Sequence, residues 1–69
     1  MKVILLEKSS SGELVTIDAR EWNGEMVAAL EHVNYLSIHN QEYQTLEGKL
    51  NVDTGQLELL VMKVANDKS

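Results

Sequence analysis

The sequence predicts a small α+β domain of order ββαβββ, with a five-stranded, mainly antiparallel sheet and one helix packed on one face. Three observations lead to this class. Short segments rich in strand-forming residues alternate with turn residues. One segment, between residues 18 and 34, repeats apolar side chains at helical period. The 69 residues suffice for a single core, which we place in residues 1–64, with 65–69 as a frayed C-terminal tail.

The first two strands form a predicted hairpin. Residues 3–6 are four consecutive aliphatic side chains, and residues 14–17 are a second strand-forming run. Residues 9–12 supply three serines and a glycine between them, which is typical turn chemistry.

The helix has two candidate starting points. Asp18 is followed three residues later by Glu21, the spacing of a capping box, and this start predicts a helix over about 19–33. Such a helix would carry one apolar stripe of Trp22, Met26, Ala29, Leu30 and Val33. The Asn23-Gly24 pair argues against this longer helix, because glycine inside a helix costs about 1 kcal/mol relative to alanine. We predict the longer helix; the alternative is a helix capped by Asn23 that begins one turn later.

Three further strands are predicted after the helix. Residues 35–39 alternate between apolar and polar, Asn40-Gln41 is the predicted turn, and the next strand covers about 42–52. Residues 53–55 form a hairpin loop with glycine at a position that favours positive φ. The last strand, about 57–64, is the most apolar segment of the chain.

The fourth strand contains a conflict of alternation. Tyr43 and Thr45 have odd numbers, whereas Leu46 and Leu50 have even ones, so a regular strand would send the two sets to opposite faces. An extra residue in a bulge near Gly48 would restore the alternation. Alternatively, Glu47-Gly48 is itself a turn.

The first and last strands are apolar on both faces, and this pattern predicts self-association. In the last strand, alternation places Leu57, Leu59 and Val61 on one face and Leu60, Met62 and Val64 on the other. Strands of this kind belong to sheets that are covered on both sides. One helix covers one face only, so the other needs strong curling of the sheet or a second subunit. Closed twofold dimers are the commonest solution, and we expect a homodimer.

Composition limits the function classes. The net charge is −5, so we expect no direct binding of nucleic acid or of anionic membranes, which requires a basic surface. The amino-terminal apolar run is too short for a signal peptide or a membrane span. Together with the absence of cysteine, this leads us to expect a cytoplasmic protein.

Motifs of catalysis are not recognisable in the sequence, and we predict no cofactor and no metal site. The leading hypothesis is a small non-catalytic protein-interaction module: a regulator, inhibitor or accessory subunit of the kind common in bacteria and phages. One alternative is a small ligand-binding or enzymatic domain whose pocket forms between subunits. Another is an acidic inhibitor that imitates DNA. The candidate partner-binding residues are Tyr35, His39 and Tyr43.

Overall fold

The computed structural model describes residues 1–64, which form a small α+β fold: a five-stranded mixed sheet with one short helix. The elements follow the chain as β1 (Lys2–Lys8), β2 (Leu14–Glu21), α1 (Gly24–Ala29), a 3₁₀ turn (Leu30–His32), β3 (Tyr35–Ile38), β4 (Gln41–Asn51) and β5 (Gln56–Lys63). The strand order across the sheet is β2-β1-β5-β4-β3. The predicted frayed tail, 65–69, lies outside the described residues.

The first and last strands lie side by side in the centre of the sheet. They pair in parallel, with Leu5 beside Leu59 and Leu6 beside Leu60. The other pairings, β1 with β2, β4 with β5 and β3 with β4, are antiparallel. Because each central strand has a neighbour on both sides, the two segments that are apolar on both faces occupy the most enclosed positions of the sheet.

The predicted helix over 19–33, capped by Asp18, is wrong, and the shorter alternative is confirmed. Helix α1 begins after Asn23, whose Oδ1 accepts a hydrogen bond from the backbone N–H of Met26 at 2.8 Å. Asp18 instead belongs to β2, where it lies opposite Leu5. Continued pairing with β1 satisfies the backbone groups of residues 18–21, and Gly24 becomes the first residue of the helix rather than an interior one.

The core lies on one side of the sheet. Its buried residues in the described chain are Val3, Leu5, Trp22, Tyr43, Leu59 and Val61. Val27 and Leu30, from the helical segment, pack against this cluster. Trp22, predicted in the apolar stripe of the helix, is buried. It directly follows β2, and its backbone N–H donates to the carbonyl oxygen of Met1 at 2.9 Å. Met26, predicted in the same apolar stripe, is exposed.

The predicted bulge in the fourth strand is confirmed, at a slightly earlier position. The register between β4 and β5 shifts between Thr45 and Glu47, so Leu46 is the extra residue. The alternative turn at residues 47–48 is wrong, because β4 continues to Asn51. Gly48 lies opposite Leu59, and a Cβ at this glycine would be only 3.2 Å from Leu59 Cδ2. The glycine therefore leaves space for a core leucine.

Both hairpins of the second half of the chain have turn residues with positive φ. His39 and Asn40 connect β3 to β4 with φ of 53° and 62°, as in a type I′ turn. The predicted Asn40-Gln41 turn was therefore one residue late. Gly55, in the β4–β5 hairpin, has φ of 71°, as its predicted role requires.

Candidate interaction face

The sheet has two faces of different environment. We call the face that carries the six buried residues the core face. On strands, successive side chains point to opposite sides, so the alternate residues form a second face. Its apolar members are Ile4, Leu6, Leu60 and Met62 of the central strands, Leu14 and Ala19 of β2, and Tyr35 of β3.

The second face keeps large apolar side chains in contact with solvent. Leu14 is 56% exposed and Met62 is 44% exposed, and Tyr35 is half exposed. Leu6, Leu14 and Leu60 line a shallow groove of about 180 Å³, and its other lining residues are Glu47, Gly48, Lys49 and Glu58. Protein–protein interfaces likewise combine apolar side chains with polar and charged ones at their margins.

The apolar and polar residues of the second face are separated along the strands. Leu6, Leu60 and Met62 lie toward the end of β1 and β5 where the β1–β2 loop begins. The opposite end carries polar side chains in adjacent register positions: Glu21, Lys2, Gln56 and Asn51. The face therefore has an apolar end and a polar end.

The three residues predicted to bind a partner are not brought together. Tyr35 pairs with Gln44 and lies on the second face. Tyr43 is buried in the core, where its ring stabilises the fold. His39 lies in the β3–β4 turn with an exposed side chain. Sequence reasoning missed Leu14 and Met62 as binding candidates, although the alternation in the last strand had already assigned Met62 to the second apolar face.

A small polar cluster lies on the core face, where the curled sheet brings its two edge strands, β2 and β3, close together. Asp18 is only 12% exposed and accepts two hydrogen bonds from Arg20, from Nε at 2.8 Å and from Nη2 at 3.2 Å. His39 Nε2 lies 3.7 Å from Asp18 Oδ1, an ion-pair distance when the imidazole is protonated. Since Asp18 is in β2 and His39 follows β3, this carboxylate links the two edge strands, which are the outermost members of the sheet.

A cavity of about 170 Å³ lies beside this cluster. Its walls are mainly apolar and include Leu5, Trp22, Met26 and Leu36, and Arg20 contributes the charged part of the lining. The guanidinium is already held by the Asp18 carboxylate in a two-point contact. The contact holds Arg20 at the rim of this cavity, with its side chain about half exposed.

Within residues 1–64, the His, Asp and Glu side chains form no group of three or more that could hold a metal ion. The helix in the same part of the chain is too short to cross a membrane.

Comparisons with protein-family models, curated proteins and solved structures found no match to this chain.

Proposed function

We propose that this chain is a small non-catalytic protein-interaction module, a regulator, inhibitor or accessory subunit, that binds its partner through the second face of the sheet. The observation that supports this proposal is the set of solvent-exposed apolar side chains on a face opposite the core. Solvent exposure of single apolar residues is ordinary, but a contiguous exposed patch marks an interaction site.

In this proposal, the helical segment covers the core face and a partner covers the second face. The segment from Trp22 to Leu30 packs over the core face, so that a ββαβββ chain carries its helix on one side of the sheet. On the second face, residues 1–64 supply only the β-strands themselves and their connecting loops. A partner surface is then the natural cover for Leu6, Leu60 and Met62.

The expected gain from docking is substantial for so small a chain. Fully burying a leucine or methionine side chain contributes about 1.5–3 kcal/mol. Leu14 and Met62 are each about half exposed, so a partner that covers them gains about 1 kcal/mol from each. Tyr35, at the edge of the same face, adds an aromatic side chain of the kind that is enriched at binding hot spots.

A matched pair of substitutions tests which face binds. Leu14→Lys places a charge on the second face, and Leu50→Lys places the same charge on the core face of β4, where Leu50 lies opposite Leu57. The two leucines have nearly equal exposure, 56% and 54%. Each chain is immobilised, exposed to an extract of its source cells, and compared with the wild type for retained proteins. Circular dichroism melts verify that both variants are folded.

The proposal predicts proteins that the wild type and the Leu50→Lys variant retain and the Leu14→Lys variant loses. Equal retention by the two variants would exclude the second face as the binding surface. Loss with Leu50→Lys alone would move the binding surface to the core face, near the exposed Leu50 and Val52.

A further inference from the structure

We propose that the cavity between the two edge strands binds a small aromatic carboxylate of the size of benzoate, with the ring inside the cavity and the carboxylate on Arg20 at its rim. The cavity lies on the core face, so this inference goes beyond the proposed function and its test does not depend on partner binding. It is carried by the place of the cavity in the sheet, its volume and lining, and the unused donors of the guanidinium.

The cavity lies where the curled sheet brings its two edges together. Asp18 of β2 and His39 after β3 approach each other to 3.7 Å, although β2 and β3 are the outermost strands. Arg20 lines the cavity from β2, and residues 36–38 line it from β3. Strand β1 and the helical segment supply the remaining walls. The mouth of a sheet that curls toward a barrel is a preferred place for small-molecule sites.

The volume and lining of the cavity fit one aromatic ring. An apolar cavity of about 150 Å³ stays dry and binds benzene, and this cavity has about 170 Å³. Drug-sized ligands fill about 300–1,000 Å³, so larger molecules do not fit. Five of the lining residues are apolar and two are polar: Leu5, Trp22, Met26, Leu36 and Ile38, with Arg20 and Ser37. The indole of Trp22 favours an aromatic partner, which it can meet in an offset or edge-to-face contact.

The guanidinium of Arg20 has donors left for a carboxylate. Within residues 1–64, its hydrogen bonds are the two that Asp18 accepts, from Nε and from Nη2. A guanidinium carries five N–H donors, so both donors of Nη1 and one of Nη2 remain. These form a planar fork, the arrangement that binds a carboxylate through two parallel hydrogen bonds. The side chain is 54% exposed, so an anion can reach it from solvent.

The surrounding charges make this a weak site. The Asp18 carboxylate beside Arg20 and the net charge of −5 both oppose an anion, and salt screens this opposition at the exposed rim. We therefore expect a dissociation constant of about 1 mM for benzoate.

A methyl NMR titration with benzoate and with benzyl alcohol tests the site and the ligand class. Both molecules carry the same ring, but benzyl alcohol lacks the charge. Saturable shifts of the Leu5, Leu36 and Ile38 methyl signals are expected with benzoate, and benzyl alcohol should bind at least about tenfold more weakly. Shifts that do not saturate, or that lie mainly outside the cavity, would overturn the site. Equal affinities for the two molecules would overturn the assignment of a carboxylate.

Two variants that lose the same positive charge test the role of the guanidinium. Arg20→Gln should weaken benzoate binding about tenfold and leave benzyl alcohol binding within about threefold. Lys49→Gln, at an exposed position that pairs with Glu58 on the second face, should leave both within about threefold. Equal weakening of benzoate binding in the two variants would overturn the contact with Arg20, because general electrostatics would then explain the loss. If Arg20→Gln does not fold, the comparison of benzoate with benzyl alcohol on the wild type decides.

Discussion

Adjacent leucines on β5 provide a direct comparison of the two faces of the sheet. Leu59 is buried on the core face, and Leu60 is partly exposed on the second face. Leu59→Ala removes side-chain atoms that pack against Gly48 and leaves a cavity, so we expect it to lower the free energy of unfolding by about 2–5 kcal/mol. Leu60→Ala removes atoms that already contact water in the monomer, and its expected cost there is about 1 kcal/mol.

Urea titration followed by the fluorescence of Trp22, the single tryptophan of the chain, measures both costs. A chain of this length has a stability of about 3–10 kcal/mol, so Leu59→Ala is expected to shift the midpoint by about 1 M or more. If that variant does not fold, Leu59→Val, which removes one methylene, should still cost about 1 kcal/mol. Equal costs for Leu59→Ala and Leu60→Ala in dilute solution would refute the distinction between the faces.

Three further predictions concern the local structure. Asn23→Ala should lower the free energy of unfolding by about 0.5–2 kcal/mol in thermal melts. Asn23→Asp should keep most of the wild-type stability, because aspartate also accepts a hydrogen bond from the Met26 N–H. Equal losses of stability in the two variants would exclude the cap. Asn40→Ala should cost about 1 kcal/mol at its positive φ, whereas Asn40→Gly should cost little; the reverse order would exclude the type I′ turn. The emission of Trp22 should be blue-shifted and weakly quenched by iodide, and emission like that of free tryptophan would place its ring at the surface.

The sequence was most informative where local pattern and burial agree. The α+β class, the two-sided apolar strands and the hairpin at Gly55 followed from alternation and turn chemistry. The conflict between Tyr43 and Leu46 predicted a bulge, because a change of parity within one strand requires an extra residue. Its position could not be predicted, since any residue between Thr45 and Gly48 restores the alternation equally well.

The start of the helix was mispredicted because local sequence signals contain no information about strand pairing. Asp18 and Glu21 have the spacing of a capping box, yet both belong to β2. The hydrogen bonds that hold residues 18–21 as a strand come from β1, which is 13 to 19 residues away in the register that pairs Leu5 with Asp18 and Lys2 with Glu21. These hydrogen bonds join backbone groups, which every residue type except proline has, so the residue types in β2 do not reveal them. The Asn23-Gly24 pair was the one local signal of the actual boundary.

The candidate face was only partly visible in the sequence. Alternation assigned Leu60 and Met62 to a second apolar face before the strand order was known. Leu14 joins them only through its register with Lys8 in the β1–β2 hairpin. Tyr43 was chosen as a candidate for its aromatic ring, but the same property makes it a large core residue. Composition alone does not separate these two roles.

Methyl NMR with a soluble paramagnetic agent tests most directly whether one face is covered within the chain and the other is open. In dilute solution, the agent should strongly broaden the methyl signals of Leu14 and Met62 and leave those of Val3 and Val61 sharp. Signals of Leu14 and Met62 as well protected as that of Val61 would contradict the account, because both faces of the sheet would then be covered.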